Sequence, residues 1–262
     1  MNKIDSPKIS GPISIFWTGG WDSTYRVVEL SRQGVEISPI YILDPKRESN
    51  RRELEAIEAI TGMLEERCET TSKFLPLSIV NVDDIAPDES ITAAAKSLGE
   101  EFGLGVQHDW TARVAKDHPG VEMCIEKAIK GYMPIREMIR KYGTLEMGSH
   151  GYSLGGGCSE YLNLILGNIT LPLFETTETE MLATVEELGY KEEMSHIWFC
   201  HRPINDKPCG LCSPCHTKMD SNMEFLLPPE ARRRCKRMNV SEARFGRVGK
   251  GVYARMARLF VR

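Results

Sequence analysis

The stretch ISIFWTGGWDSTYRVVEL, Ile13 to Leu30, does most to fix the fold. It opens with an apolar, β-branched and aromatic run that reads as a buried strand, passes through Gly19–Gly20, and continues as a helix. From Ser23 to Gln33 that helix shows Val27, Val28 and Leu30 on one face, and Gly34 supplies a stop. A buried strand turning directly into an amphipathic helix is how a parallel α/β sheet begins, because parallel strands need a helix-length crossover between them.

The pattern recurs along the chain. ISPIYILD, ending at Asp44 before Pro45, reads as a second strand. NRRELEAIEAITGMLEE follows as a helix with Asn50 and Glu53 as a capping pair and Leu54, Ile57, Ile60, Thr61 and Leu64 at three-four spacing. Leu77 to Val82 is expected to form a third strand and VEMCIEK, from Val121, a fourth. ITLPLFETTETEMLATVEELG reads as a strand followed by a helix capped by Thr177 with Glu180 and ended by Gly189. The expected fold is α/β, a Rossmann-like parallel sheet with helices on both faces. No internal repeat interrupts it, and residues 84–110 give the weakest signal.

In open α/β sheets ligands sit beyond the carboxyl ends of the strands, where a strand-to-helix turn offers free amides at the positive end of a helix. TGGWDST has the composition for holding an anion there. Gly19 and Gly20 are expected to take up positive φ and let the backbone approach the ligand, while Thr18, Ser23 and Thr24 add hydroxyls. Asp22 would lie beside bound phosphates and act through Mg²⁺. The chain has no G-x-x-x-x-G-K-[ST], and no G-x-G-x-x-G follows its first strand, which excludes Walker-type and dinucleotide fingerprints.

Four of eight cysteines, Cys200, Cys209, Cys212 and Cys215, crowd into CHRPINDKPCGLCSPCH. A Cys-x-x-Cys-x-x-Cys run with one further thiolate fits tetrahedral zinc, and Pro208, Gly210 and Pro214 suit a metal knuckle. A closed four-thiolate site is structural; an iron–sulfur cluster would use the same ligands.

TGGWDST resembles the SGGxDS signature of the PP-loop ATP pyrophosphatases, with Thr18 keeping the first hydroxyl. That resemblance implies a PP-loop fold in which Thr18, Gly19, Gly20, Asp22, Ser23 and Thr24 hold ATP with Mg²⁺, and in which Asp22 and Ser23 serve the formation of an adenylate, releasing pyrophosphate and later AMP. Asp44, at the end of the second strand, either lies where adenosine would be held in such a fold or caps the strand end. With the cysteine spacing and the PLFETTETEMLATVEELG helix, the chain is similar to the 7-cyano-7-deazaguanine synthases of queuosine biosynthesis, which convert 7-carboxy-7-deazaguanine to its amide and then its nitrile. Those enzymes use ammonia. Synthase-like proteins of antiphage defence systems would allow a protein amine as acceptor instead, and tRNA thiolation is a further PP-loop activity.

Three features depart from the synthase pattern. LGVQHDWTARVAK stands where the family has a Pro-Gly-Arg-Asn-type stretch, Glu178 where it commonly has a lysine, and the chain runs 47 residues past Cys215. In the first of these, Gln107 and His108 could read the edge of a base and Trp110 could stack on it, or Asp109 could be a helix N-cap and Trp110 a core anchor. Gly155 to Gly157 could form a second backbone cradle or a flexible loop.

The implied organisation is a nucleotide-binding domain over 1–190, a four-cysteine zinc region over 191–222 and a basic extension over 223–262. Residues 231–262 carry eleven basic side chains against Glu242, a net +10 that leaves −14 on the rest of a chain of net −4. GVYARMARLFVR within it is amphipathic, which favours docking on a protein acceptor or on a second copy of the chain over binding nucleic acid. The amino terminus lacks a signal-type apolar segment and no apolar run is of membrane-spanning length, so a cytoplasmic location and no membrane partner are expected.

Overall fold

A computed structural model describes residues 11–127 and 132–239. The chain begins with β1 (Ile13–Phe16), α1 (Trp21–Ser31), β2 (Glu36–Leu43) and α2 (Asn50–Glu66). Next come β3 (Lys73–Phe74) and β4 (Ser78–Asn81), then α3 (Glu89–Phe102), α4 (Gln107–Asp117) and β5 (Val121–Glu122). α5 (Pro134–Tyr142), the hairpin β6 (Leu145–Met147) and β7 (Tyr152–Leu154), α6 (Glu160–Leu166) and β8 (Ile169–Thr170) complete the sheet region. α7 (Glu178–Leu188), α8 (Lys191–Ser195) and α9 (Ser213–Asp220) follow, and residues 229–239 are helical.

The fold is α/β with a parallel central sheet in the order β3-β2-β1-β5-β8, with β4 pairing farther along β2. Registers such as Ile13 with Ile37 and Val121 with Ile169 are parallel. The chain moves outward from β1 through β2 to β3 and β4, then crosses to the other side of β1 for β5 and β8. Right-handed crossovers in opposite directions put helices on opposite faces. Ile13, Ile15, Ile37 and Tyr41 accordingly pack with α1, α2, α7 and α8. Phe16, Ile40 and Ile42 point the other way, into a core filled by α3 to α6. The exposed edge of β8 is covered by the hairpin through an antiparallel bridge from Tyr152 to Leu171.

Several local expectations are corrected. The strand expected over 77–82 is present as β4, and the expectation missed only the short β3 that pairs with β2 ahead of Pro76, which has no amide to donate. VEMCIEK pairs only at Val121 and Glu122. Asn50 and Glu53 do not form a capping box. The Glu53 carboxylate is buried and accepts hydrogen bonds from Tyr41 Oη (2.8 Å), Ser49 Oγ (2.8 Å) and Arg47 Nη2 (2.5 Å), so its oxygens are spent on side chains and not on a backbone amide of the first helical turn. Asp109 lies inside α4 and pairs with Arg113, so the N-cap position falls to Val106. The capping box of Thr177 with Glu180 and the left-handed Gly189 are as expected.

Among the described residues no helix is long and apolar enough to cross a membrane. The amphipathic GVYARMARLFVR segment lies outside the described residues.

Candidate active site and metal centre

The strand order reverses between β1 and β5, and the carboxyl ends of β1, β2 and β5 meet there. That is where an open α/β sheet offers a crevice. A cleft of 590 Å³ opens at this point, within the roughly 300–1,000 Å³ typical of small-molecule sites. Its walls include Thr18, Gly20, Asp22 and Ser23 from the turn, Asp44 from the end of β2, and Gln107, His108 and Trp110 from α4. The structure thus brings two separate sequence candidates, the turn and the α4 terminus, to one cavity.

Within the turn the residues divide their roles. Gly19 alone takes positive φ (+66°), and a Cβ there would lie 2.8 Å from the carbonyl oxygen of Glu53, so the turn is pressed against α2. Gly20 is extended (φ −81°, ψ 175°) and caps α1 without a side chain, which corrects the expectation of positive φ at both glycines and leaves the helix terminus open to a ligand. Thr18 N donates to Ser23 Oγ at 3.4 Å, and the two hydroxyls are also 3.4 Å apart. Thr24 is fully buried and accepts from Trp17 Nε1 at 3.0 Å, so its hydroxyl serves the core and does not line the cleft.

Gly155 to Gly157 lie beside the β6–β7 hairpin, outside the cleft walls. Asp44 Oδ1 accepts from Lys46 N at 3.0 Å and so closes its own loop at the cleft edge. Burial pushes His108 down to about 4, so its imidazole is neutral near pH 7, with one nitrogen donating and the other accepting. Trp110 is half-buried and packs on the core, as expected of an anchor, and also lines the cleft. Arg47 also lines the cleft, steered by the buried Glu53. Beneath the switch point Arg26 grips Glu122 bidentately at 2.8 and 2.7 Å, tying α1 to the end of β5.

A second hollow of 350 Å³ shares Thr18, Gly20 and Asp22 with the first. Here Asp22, Glu126 and Glu178 approach so closely that one oxygen of each lies within 4.8 Å of the others. Asp22 Oδ1 and Glu178 Oε2 are sealed from solvent without a hydrogen-bond partner. Burial pushes Asp22 up to about 6, against the attraction of Lys218 and with some help from Glu178. Burial, with Asp22 and Glu178 nearby, pushes Glu126 up to about 8. Buried, under-compensated carboxylate oxygens at this spacing fit a divalent cation such as magnesium. Glu126 and Glu178 carry no sequence signal of this role, because the three acids come from distant segments that only the sheet order unites.

The four cysteines converge as their spacing implies. Sγ separations of 3.4 Å (Cys212–Cys215), 3.9 Å (Cys200–Cys212) and 4.0 Å (Cys209–Cys215) bracket the ~3.8 Å edge of a tetrahedron built on Zn–S bonds of about 2.3 Å. Backbone amides of Cys209 and Leu211 donate to Cys200 Sγ and Cys209 Sγ at 3.2 Å each. The cluster could hold a metal ion. Around it Leu227, Ala231, Cys235 and Met238 form a core, so the described start of the basic extension packs onto the cysteine unit. Arg234 is spent there, donating to Cys209 O at 2.6 Å. His216 is buried in this unit, whereas His201 is exposed and borders both hollows.

One residue joins the two centres. Trp198 N donates to Gly19 O and its indole Nε1 to Cys200 O, both at 2.8 Å. No protein-family model matches the chain, and no curated protein matches it.

Proposed function

We propose that this chain is an ATP-dependent, AMP-forming ligase of the PP-loop type, which adenylates 7-carboxy-7-deazaguanine and passes the acyl group to a nitrogen nucleophile. The observation that carries this reading is that the Thr18–Ser23 turn, open at the positive end of α1, shares one cleft with Gln107, His108 and Trp110. Phosphates suit the first group of residues and a planar heterocycle the second. A neutral His108 both donates and accepts, as does the amide of Gln107, which matches the mixed edge of a deazapurine.

Magnesium, when bound, would neutralise the departing pyrophosphate, and Asp22, Glu126 and Glu178 are the residues that would hold it. The chain itself contributes binding and orientation: the turn amides and the Ser23 hydroxyl at the phosphates, Asp44 at the adenosine side, and Arg47 as a cation fixed by Glu53. Catalysis is then placement and electrostatics, with no protein nucleophile required. The cysteine centre is read as a closed zinc site that staples the region after α8.

Ammonia as the nucleophile would give the amide with release of AMP, and a second ATP adenylating the amide oxygen would let that oxygen leave on AMP to give the nitrile; a protein amine would give a conjugate and AMP. Thiolation of tRNA would need a redox-available cysteine, and Cys124, which lines the cleft, is a poor one, since burial and the neighbouring Glu122 hold its thiol well above the usual range. The test is incubation with ATP, Mg²⁺ and 7-carboxy-7-deazaguanine, with and without ammonia or candidate partner proteins, identifying nucleotide and deazaguanine products by mass. AMP formation that depends on the acid and disappears in Asp22→Asn, with the metal bound by the four cysteines unchanged, is expected. No AMP under any of these conditions would refute the proposal.

A further inference from the structure

Lys218 is the most deeply buried lysine among the described residues, 4% exposed. It stands on α9 one helical turn after Cys215, and its ammonium pairs with Glu178 and lies 5.3 Å from the centre of the Trp21 ring. A buried ion pair is ordinarily matched one to one, since an uncompensated buried charge is costly. Here a single ammonium faces three carboxyl groups, and two of their oxygens have no partner. With Asp22, Glu126 and Glu178 ionised, the lysine alone leaves them at net −2, whereas a divalent cation alone would leave them at net −1 and so loosen the hold of Glu178 on the ammonium. Lys218 lines the same 350 Å³ hollow as Thr18 and Gly20, the wall at which phosphates are expected. A lysine has the stem to make that change: four flexible carbons carrying a compact charge with three donors.

We propose that Lys218 serves two partners in turn. In the empty site it is a placeholder cation for Glu178 and its neighbours; when a divalent cation takes the carboxylates, the ammonium moves to phosphoryl oxygens at the Thr18–Gly20 wall. The residue is supplied by the cysteine unit, which gives that unit a direct part in the phosphate site. This inference rests on reading the turn as a phosphate site.

The two roles predict affinity changes of opposite sign when the charge is removed. Binding of Mn²⁺ to the protein alone, followed by electron paramagnetic resonance, should tighten about tenfold in Lys218→Gln, because a competing cation has gone. Binding of inorganic pyrophosphate with Mg²⁺, followed by calorimetry, should weaken about tenfold or more, as expected for losing a charge-assisted hydrogen bond. Lys218→Arg should stay near the unaltered protein in both. If the two affinities fall together, or neither changes, Lys218 is only a structural partner of Glu178 and the proposal is overturned. A crystal of the unaltered chain with Mg²⁺ and pyrophosphate tests it without a variant: Nζ within hydrogen-bond reach of a phosphoryl oxygen supports it, and Nζ still on Glu178 refutes it. Failure of the unaltered chain to bind pyrophosphate would instead remove the phosphate reading of the turn, and this inference with it.

Discussion

Two adjacent glycines are expected to respond in opposite ways to a single methyl group. Gly19→Ala places an L-residue at φ +66°, which costs about 1–2 kcal/mol. It also sets a Cβ 2.8 Å from Glu53 O, a backbone atom of α2 that cannot rotate away. Over-packing of that kind adds about 1–3 kcal/mol, for a total near 2–5 kcal/mol. Gly20→Ala meets neither obstacle, since its backbone is extended and the nearest atom, Thr18 Oγ1 at 3.2 Å, is a hydroxyl that can turn. The poorer N-cap and the less flexible unfolded chain are each worth about 1 kcal/mol or less and oppose each other, so its stability should stay within about 1 kcal/mol of the unaltered protein. Gly20, however, lines the cleft, and a methyl there stands where a phosphate would meet the helix amides. Urea unfolding should therefore show a lowered midpoint at constant slope for Gly19→Ala only. ATP binding by calorimetry should weaken at least about tenfold, or 1.4 kcal/mol, for Gly20→Ala. Unchanged ATP affinity in Gly20→Ala would refute the assignment of the turn, and an unchanged midpoint in Gly19→Ala would refute the steric account of it.

Glu126 holds its proton up to about pH 8 when folded, so the native state binds more protons than the unfolded chain above the ordinary carboxylate range, and the metal-free protein should lose stability as pH rises from about 4.5 through 8. Mg²⁺ favours the ionised form, so the rise in melting temperature on adding it should grow between pH 6 and 8.5, a trend that Glu126→Gln should abolish. Cys212→Ser should release one metal equivalent by elemental analysis and lower the melting temperature by several degrees or more, because the core around the cysteines includes Leu227, Ala231 and Met238; metal loss with an unaltered melt would contradict this. His108→Ala should raise KM for the deazaguanine acid about tenfold, the worth of a buried hydrogen bond, while moving KM for ATP less than about twofold.

The parts legible in the sequence were those with local causes. The strand, turn and helix from Ile13 to Ser31 followed from apolar runs and glycine placement, the Thr177 cap from its partner three residues on, and the cysteine centre from spacing alone. α3 escaped notice because alanines dilute its apolar face, although the cap at Asp88 and the left-handed Gly103 mark its ends. α5, α6 and the hairpin between them are short and punctuated by glycines, so no periodicity accumulates. Glu53 was misread for a different reason: its spacing from Asn50 suits a cap, but Tyr41, Arg47 and Ser49, gathered by the packing of β2 on α2, claim both of its oxygens. The carboxylates at 126 and 178 belong to tertiary structure entirely, because their meeting with Asp22 depends on which strand lies beside β1.

The position of Trp198 explains why the four-cysteine unit should matter to a cleft it does not enter. A left-handed Gly19 pressed on Glu53 O orients the turn, but its own carbonyl still needs a donor, and that donor is the amide of Trp198. Trp198 is in turn held by its indole on Cys200 O, and Cys200 by the other three thiols. Two hydrogen bonds of 2.8 Å therefore carry the rigidity of the cysteine unit into the turn, while Lys218 carries its charge to the carboxylates. Trp198→Phe separates these routes: it removes the bond to Cys200 O but keeps the backbone amide and an aromatic ring. If rigidity is what the centre lends, nucleotide affinity should fall in Trp198→Phe with metal content unchanged. Unchanged affinity would assign the coupling to Lys218 alone.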